Sequence, residues 1–149
     1  MKAIKGVYVL AILIRRDLTV KVGALGAIEF RRGVYAYVGS AQNGLEQRVK
    51  RHFMRNKRKF WHIDYLLSDP DAKILGVFYK EAGKEYECVT AQKMCEAGLA
   101  VYKFGCSDCN CVSHLFLFRD FQSLVEVCSA LNFSLYLARE SPYCEMSEA

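Results

Sequence analysis

The sequence predicts a single α/β domain over residues 1 to 140, a small mixed, mainly antiparallel β-sheet flanked by helices, with an acidic tail over 141 to 149. Three observations predict it. Residues 4 to 38 are rich in Val, Ile, Tyr and Phe and are broken by Gly- and Arg-containing turns, as in closely spaced strands. Beyond Gly44, apolar residues recur every three or four positions, as on the buried face of a helix. The 149 residues are 52% hydrophobic and 25% charged with only 2 Pro, which suits one packed globule and excludes a disordered polymer or a second full domain.

Strands are expected at 5 to 14, 18 to 22, 26 to 30 and 33 to 38, arranged as an antiparallel meander with the first and last central. The apolar run Val7 to Ile14 is far short of the roughly 20 residues of a membrane helix. Lys2 and Lys5 precede it as in a signal peptide, but Arg15, Arg16 and Asp17 stand where a small-residue cleavage site belongs. A cytoplasmic protein without a membrane partner is therefore expected, and its odd number of cysteines, 7, fits reduced thiols.

After the Ser40 to Gly44 turn, Leu45, Val49, His52 and Phe53 define a helix over 44 to 55. The segment Phe60 to Leu67 can be helix or strand and ends in the turn Ser68-Asp69-Pro70-Asp71. A strand over 72 to 80, a helix over 84 to 99, a polar cluster at Gly105 to Asn110, a strand over 113 to 118 and a helix over 120 to 130 complete the order. The acidic tail is expected to fray.

Seven basic side chains, Arg48, Lys50, Arg51, Arg55, Lys57, Arg58 and Lys59, occur between residues 48 and 59 with no acidic one, exceeding the formal charge of +5 for the whole chain. Such a surface suits a row of phosphates, because each cation that neutralises one releases a counterion. A solvated helix face followed by a basic loop is the other reading of this run taken alone, and nucleic acid is the partner expected of the chain as a whole. Arg48 and His52 stand four residues apart on one helix face and can reach the same phosphate. His62 follows the basic run, where it can assist proton transfer or brace the sheet. Cys106, Cys109, Cys111 and His114 supply four soft ligands, enough for zinc, although four within nine residues is cramped; buried reduced thiols are the other reading.

Gly6-Val7-Tyr8 in the first strand and Tyr37-Val38-Gly39 in the fourth, followed by a helix with Arg48 and His52, resemble the GIY-YIG nuclease superfamily. The string Gly33 to Ala41, Trp61-His62-Ile63-Asp64-Tyr65 and Phe104 to Cys111 look like its branch known as domain of unknown function 123. The tripeptides of that superfamily lie on adjacent antiparallel strands joined by a short connection. Here residues 9 to 36 separate Tyr8 from Tyr37, so the resemblance implies an inserted hairpin over 17 to 31. Gly33-Val34-Tyr35 also spells the first tripeptide, but one strand cannot supply both halves of an adjacent-strand site.

The resemblance implies a metal-dependent endonuclease that hydrolyses phosphodiesters, in DNA rather than RNA, including repair or recombination intermediates. Tyr8 and Tyr37 would line the phosphate pocket, with Tyr8 accepting a proton from the attacking water, a task for which a phenol near pKa 10 needs help. Arg48 would grip the phosphate, and His52 and His62 would support catalysis. One divalent cation, Mg2+ or Mn2+, would bind a glutamate on the later helix: Glu87, or alternatively Glu96. Glu46 is the expected ion-pair partner of Arg48. Two other classes stay open, a non-catalytic nucleic-acid-binding module on the same scaffold and a zinc-stabilised interaction domain.

Overall fold

The computed structural model describes residues 4–54, 57–106 and 110–138. The acidic tail, Arg55 and Cys109 lie outside the described residues. At the centre, β1 (Gly6–Ile14) pairs antiparallel with β4 (Gly33–Ala41), so that Tyr8 faces Gly39 and Leu10 faces Tyr37 across the ladder. These are the two strands that the sequence places centrally. The other edge of β1 pairs with β5 (Ala72–Lys80), and β4 pairs with β7 (Leu115–Phe118). Two strands not expected from the sequence, β6 (Leu99–Ala100) and β8 (Ser134–Ala138), close the edges in the order β6-β7-β4-β1-β5-β8. All ladders among the described residues are antiparallel.

The expected meander does not form. Instead β2 (Leu18–Lys21) and β3 (Ala27–Phe30) pair only with each other as a separate two-stranded sheet, the inserted hairpin that the resemblance implies. This leaves β1 and β4 in direct register.

Alternation along β1 explains the layers. Tyr8, Leu10, Ile12 and Ile14 enter one core with the hairpin, α1 (Leu45–Phe53) and α2 (His62–Leu67). Val7, Val9 and Ala11 enter a second core with α3 (Glu85–Ala97) and α4 (Phe121–Ala130). A strand covered on both faces reads as one apolar run rather than an alternation, which is why Val7 to Ile14 is apolar throughout. Each large aliphatic side chain it buries stabilises the fold by about 1.5–3 kcal/mol.

The ambiguous segment 60 to 67 resolves as α2. Asp64, in its first turn, accepts the backbone N–H groups of Phe60 and Trp61 at 2.8 and 2.9 Å, satisfying donors that the helix start would otherwise leave open. Helix α4 begins likewise at Asp120, whose carboxylate accepts Ser123 N–H at 2.8 Å. The expected helix over 84 to 99 stops at Ala97 because Gly98 turns extended and hands the chain to β6. The last expected strand starts two residues late, at Leu115, where the Ser113 hydroxyl takes the Leu115 N–H at 2.9 Å.

The close approach of β1 to β5 requires a glycine at position 6, since a Cβ there would collide with the backbone carbonyl of Lys80. Gly6→Ala is expected to destabilise the protein by about 1–3 kcal/mol, lowering the urea midpoint at unchanged slope. An unaltered midpoint would contradict this packing.

Candidate functional site

Beyond Gly39, the chain leaves β4, turns at Gly44 and enters α1, which carries Arg48 and His52 back over the tyrosine end of the central ladder. The Tyr8 hydroxyl lies 2.7 Å from His52 Nε2. The Tyr37 ring meets the His52 ring edge-on at 6.1 Å and Phe104 at 6.3 Å. Arg48 donates to the Ser40 carbonyl at 2.9 Å and lies 4.4 Å above the Trp61 ring, two contacts that fix its guanidinium. Tyr8, Tyr37, Arg48, Trp61, Lys84 and Glu87 line one open cleft of about 320 Å³, together with Ser40 and Gln42.

Glu87 reaches this cleft from the first turn of α3. The alternative, Glu96, is exposed on the last turns of the same helix, 3.8 Å from Lys93, and does not line the cleft. Glu46 pairs with Lys50 at 3.3 Å rather than with Arg48, because i and i+4 face each other on α1.

Burial pushes both phenols well above the usual value of 10, while the Arg48 charge pulls that of Tyr8 partly back. Burial, helped by the nearby positive charge of Lys57, lowers His52 to about 3, so its imidazole is neutral. His52 Nδ1 is buried and makes no hydrogen bond. Placing the ring proton on Nε2 leaves a lone pair rather than an N–H unsatisfied, the less costly state. His52 then donates to the Tyr8 oxygen, and the Tyr8 proton is free to turn to the cleft.

The basic run is only partly a surface. Asp64 is fully buried and receives both Arg51 guanidinium nitrogens, at 2.8 and 2.9 Å. Arg51 also lies 4.3 Å from the Trp61 ring, on which Arg48 stacks as well. Lys57 donates to the Arg51 and His52 carbonyls at 3.0 and 3.2 Å and lies 3.8 Å from Asp64. Arg51 and Lys57 thus turn inward, a correction to their expected role as outward phosphate contacts, because one buried carboxylate attracts both. Lys50, Arg58 and Lys59 stay exposed.

His62 does not line the cleft; its Nδ1 accepts the Gly105 N–H at 2.8 Å, which commits it to bracing that turn rather than to proton transfer. Burial lowers its pKa. The expected metal grouping changes too. Cys88, Cys111 and His114 lie with their ligand atoms within 4.8 Å of one another and could hold a metal ion, whereas Cys106 stands outside that group and places its thiol 3.6 Å from the Phe104 carbonyl. Asp64 and Cys88 were not among the expected site residues. A lone acid beside a basic run signals the first; the second adjoins Glu87 but lies far in sequence from Cys111.

Fold and cleft together define an α/β protein with two tyrosines, an arginine and a glutamate gathered around one opening. The chain belongs to the family described as Domain of unknown function DUF123, whose family model matches residues 7–136, from β1 to β8. No curated protein and no solved structure matches it. No helix among the described residues is long and apolar enough to cross a membrane.

Although burial alone would raise the pKa of Asp64, hydrogen bonds from Arg51 and from the Trp61 and Phe60 backbones hold it below 3.8. Its stabilisation is therefore fully present above the unfolded-state value and is lost as pH falls through the folded one. Asp64→Asn is expected to cost about 3 kcal/mol, the low end for a buried pair because Arg51 keeps some solvent contact. It should also lose part of the acid dependence below about pH 4. Equal acid-unfolding profiles for variant and parent would contradict this assignment.

Proposed function

We propose that the protein is a metal-dependent endonuclease of GIY-YIG type that hydrolyses phosphodiester bonds in nucleic acid, with DNA, including repair or recombination intermediates, as substrate. What carries the reading is convergence: Tyr8 from β1, Tyr37 from β4, Arg48 from α1 and Glu87 from α3 line one cleft.

Glu87 is the one carboxylate among the described residues lining the cleft. A hard divalent ion such as Mg2+ or Mn2+ fits there, since it needs few protein oxygens and keeps several waters. When bound, it supplies positive charge to the phosphate oxygens. Arg48, held by Ser40 and Trp61, has guanidinium donors left for a phosphate and needs little reorganisation as negative charge develops. Tyr37 offers a hydroxyl to the same oxygens.

Tyr8 rests as a neutral phenol. To take the proton of an attacking water it must first become phenolate, and the two groups directed at its oxygen, His52 Nε2–H and Arg48, stabilise that charge against burial. Outside the cleft, Lys50, Arg58 and Lys59 supply exposed charge for the flanking strand, and the exposed Phe60 ring adds a stacking surface.

Arg48→Ala and Glu87→Gln are each expected to reduce cleavage of a panel of branched, nicked and single-stranded substrates by about a hundredfold or more, with folding and most binding retained. Glu96→Gln should cleave like the parent. Full activity in Arg48→Ala and Glu87→Gln would refute the reading; salt-sensitive binding without any product, with magnesium or manganese present, would leave a binding module.

The pH profile separates Tyr8 from other bases. Because its pKa lies above the usual 10, the active phenolate fraction grows tenfold per pH unit. The logarithm of the rate should climb from about pH 6 to 9 without a plateau, and Tyr8→Phe should abolish the climb. A plateau near neutrality would assign the base elsewhere.

A further inference from the structure

A second cleft, about 430 Å³ and mostly apolar, lies beside α3 and includes Cys88, Gln92, Cys95, Cys111 and Ser113 in its lining. Cys88 and Glu87 are neighbours on the first turn of α3, and consecutive helical residues point about 100° apart. Glu87 therefore lines the tyrosine cleft while Cys88 lines this one. We propose that Cys88, Cys111 and His114 form a zinc site that pins α3 to the segment leading into β7.

The ligand types and their spacing support a soft, four-coordinate ion. The three ligand atoms lie within 4.8 Å of one another. Tetrahedral zinc, with bonds of about 2.3 Å to sulfur and 2.0–2.1 Å to nitrogen, asks for separations of about 3.5–3.8 Å, reachable by small rotations of two half-buried cysteines. Two thiolates and one neutral imidazole also cancel the charge of Zn2+, which suits an apolar-walled position. Binding releases the two thiol protons to solvent.

His114 is prepared for this role. It is buried, and its Nδ1 lies 3.2 Å from the Val38 carbonyl, an oxygen that can only accept. Nδ1 therefore carries the proton and Nε2 the lone pair, the tautomer that a metal-binding histidine adopts when a carbonyl holds its other nitrogen. The His114 backbone is fixed as well, since Val38 N–H donates to the His114 carbonyl at 2.9 Å and His114 N–H to the Phe104 carbonyl at 2.8 Å. Glu87 Oε2 lies 3.6 Å from the same Nδ1, so the zinc ligand also faces the carboxylate of the tyrosine cleft. Three protein ligands leave the fourth position to water from the open cleft.

The site does not depend on the nuclease reading and is tested without nucleic acid. Purified full-length protein, loaded with zinc and desalted, should carry one zinc per chain by elemental analysis, and the cobalt-loaded form should show a thiolate-to-metal charge-transfer band. Cys88→Ser and Cys111→Ser should each weaken zinc binding, measured by competition with a chromogenic chelator, at least about tenfold, the least that loss of even a supporting group costs. Cys95→Ser, in the same cleft but outside the trio, should bind like the parent. Zinc should raise the unfolding temperature of the parent more than that of Cys88→Ser. Substoichiometric zinc, or a cobalt form without the thiolate band, would overturn the proposal even if both serine variants failed to fold. So would parent-like binding by the two serine variants with loss in Cys106→Ser, which would restore the local cluster expected from the sequence.

Discussion

The approach of the Tyr8 ring to Gly39 is the constraint on which the rest of the cleft depends. The β1–β4 register sets these residues opposite each other, and a Cβ at position 39 would lie 2.5 Å from the Tyr8 ring carbon and hydroxyl. Without that side chain, the phenol lies across the neighbouring strand and reaches His52 on α1. Tyr37, two residues earlier on β4, points to the same face and meets the His52 ring edge-on at 6.1 Å. Two strands and one helix thus bring three ionisable rings together while keeping all three buried.

Buried charge forms the second layer of support. Asp64 collects Arg51, Lys57 and two backbone N–H groups, so a carboxylate with no solvent contact is matched by donors on several sides. That hub holds Arg51 against one side of the contacts around Trp61, and Trp61 in turn carries Arg48. The basic run therefore divides its labour: inward cations set the position of the aromatic ring that orients the cleft arginine, and outward ones remain in water. Burial, aided by the same cations, depresses His52, which keeps the imidazole neutral next to Tyr8.

Elements with strong periodicity or a bounded apolar run were legible in the sequence. Strand β5 begins and ends where the residues predict, and β1 and β4 are central because both carry apolar residues on two faces. Strand β6, two residues long, and β8 are edge strands, so tertiary pairing rather than local pattern creates them. The grouping of Tyr8, Tyr37, Arg48 and Glu87 was reached through motif resemblance; local spacing cannot bring Glu87 to Tyr8. Asp64 and Cys88 carry no comparable local signal for a related reason, since each acquires its partners only when α2 or α3 docks.

Helix α3 is where two kinds of chemistry meet. Its first turn presents a carboxylate to a polar cleft and, one residue on, a thiol to an apolar one. Hard and soft cations sort between such sites by ligand type, so neighbouring positions need not compete for the same ion. His114, packed between Val38 and Glu87, contacts the boundary from the sheet side. The helix that carries both groups has few buried residues, namely Thr90, Ala91 and Met94, and its remaining side chains are exposed or half-buried. Hydrophobic packing alone therefore gives this helix a modest anchor, and Glu87 and Cys88 stand where that anchor is weakest, ahead of the three residues that hold it to the sheet.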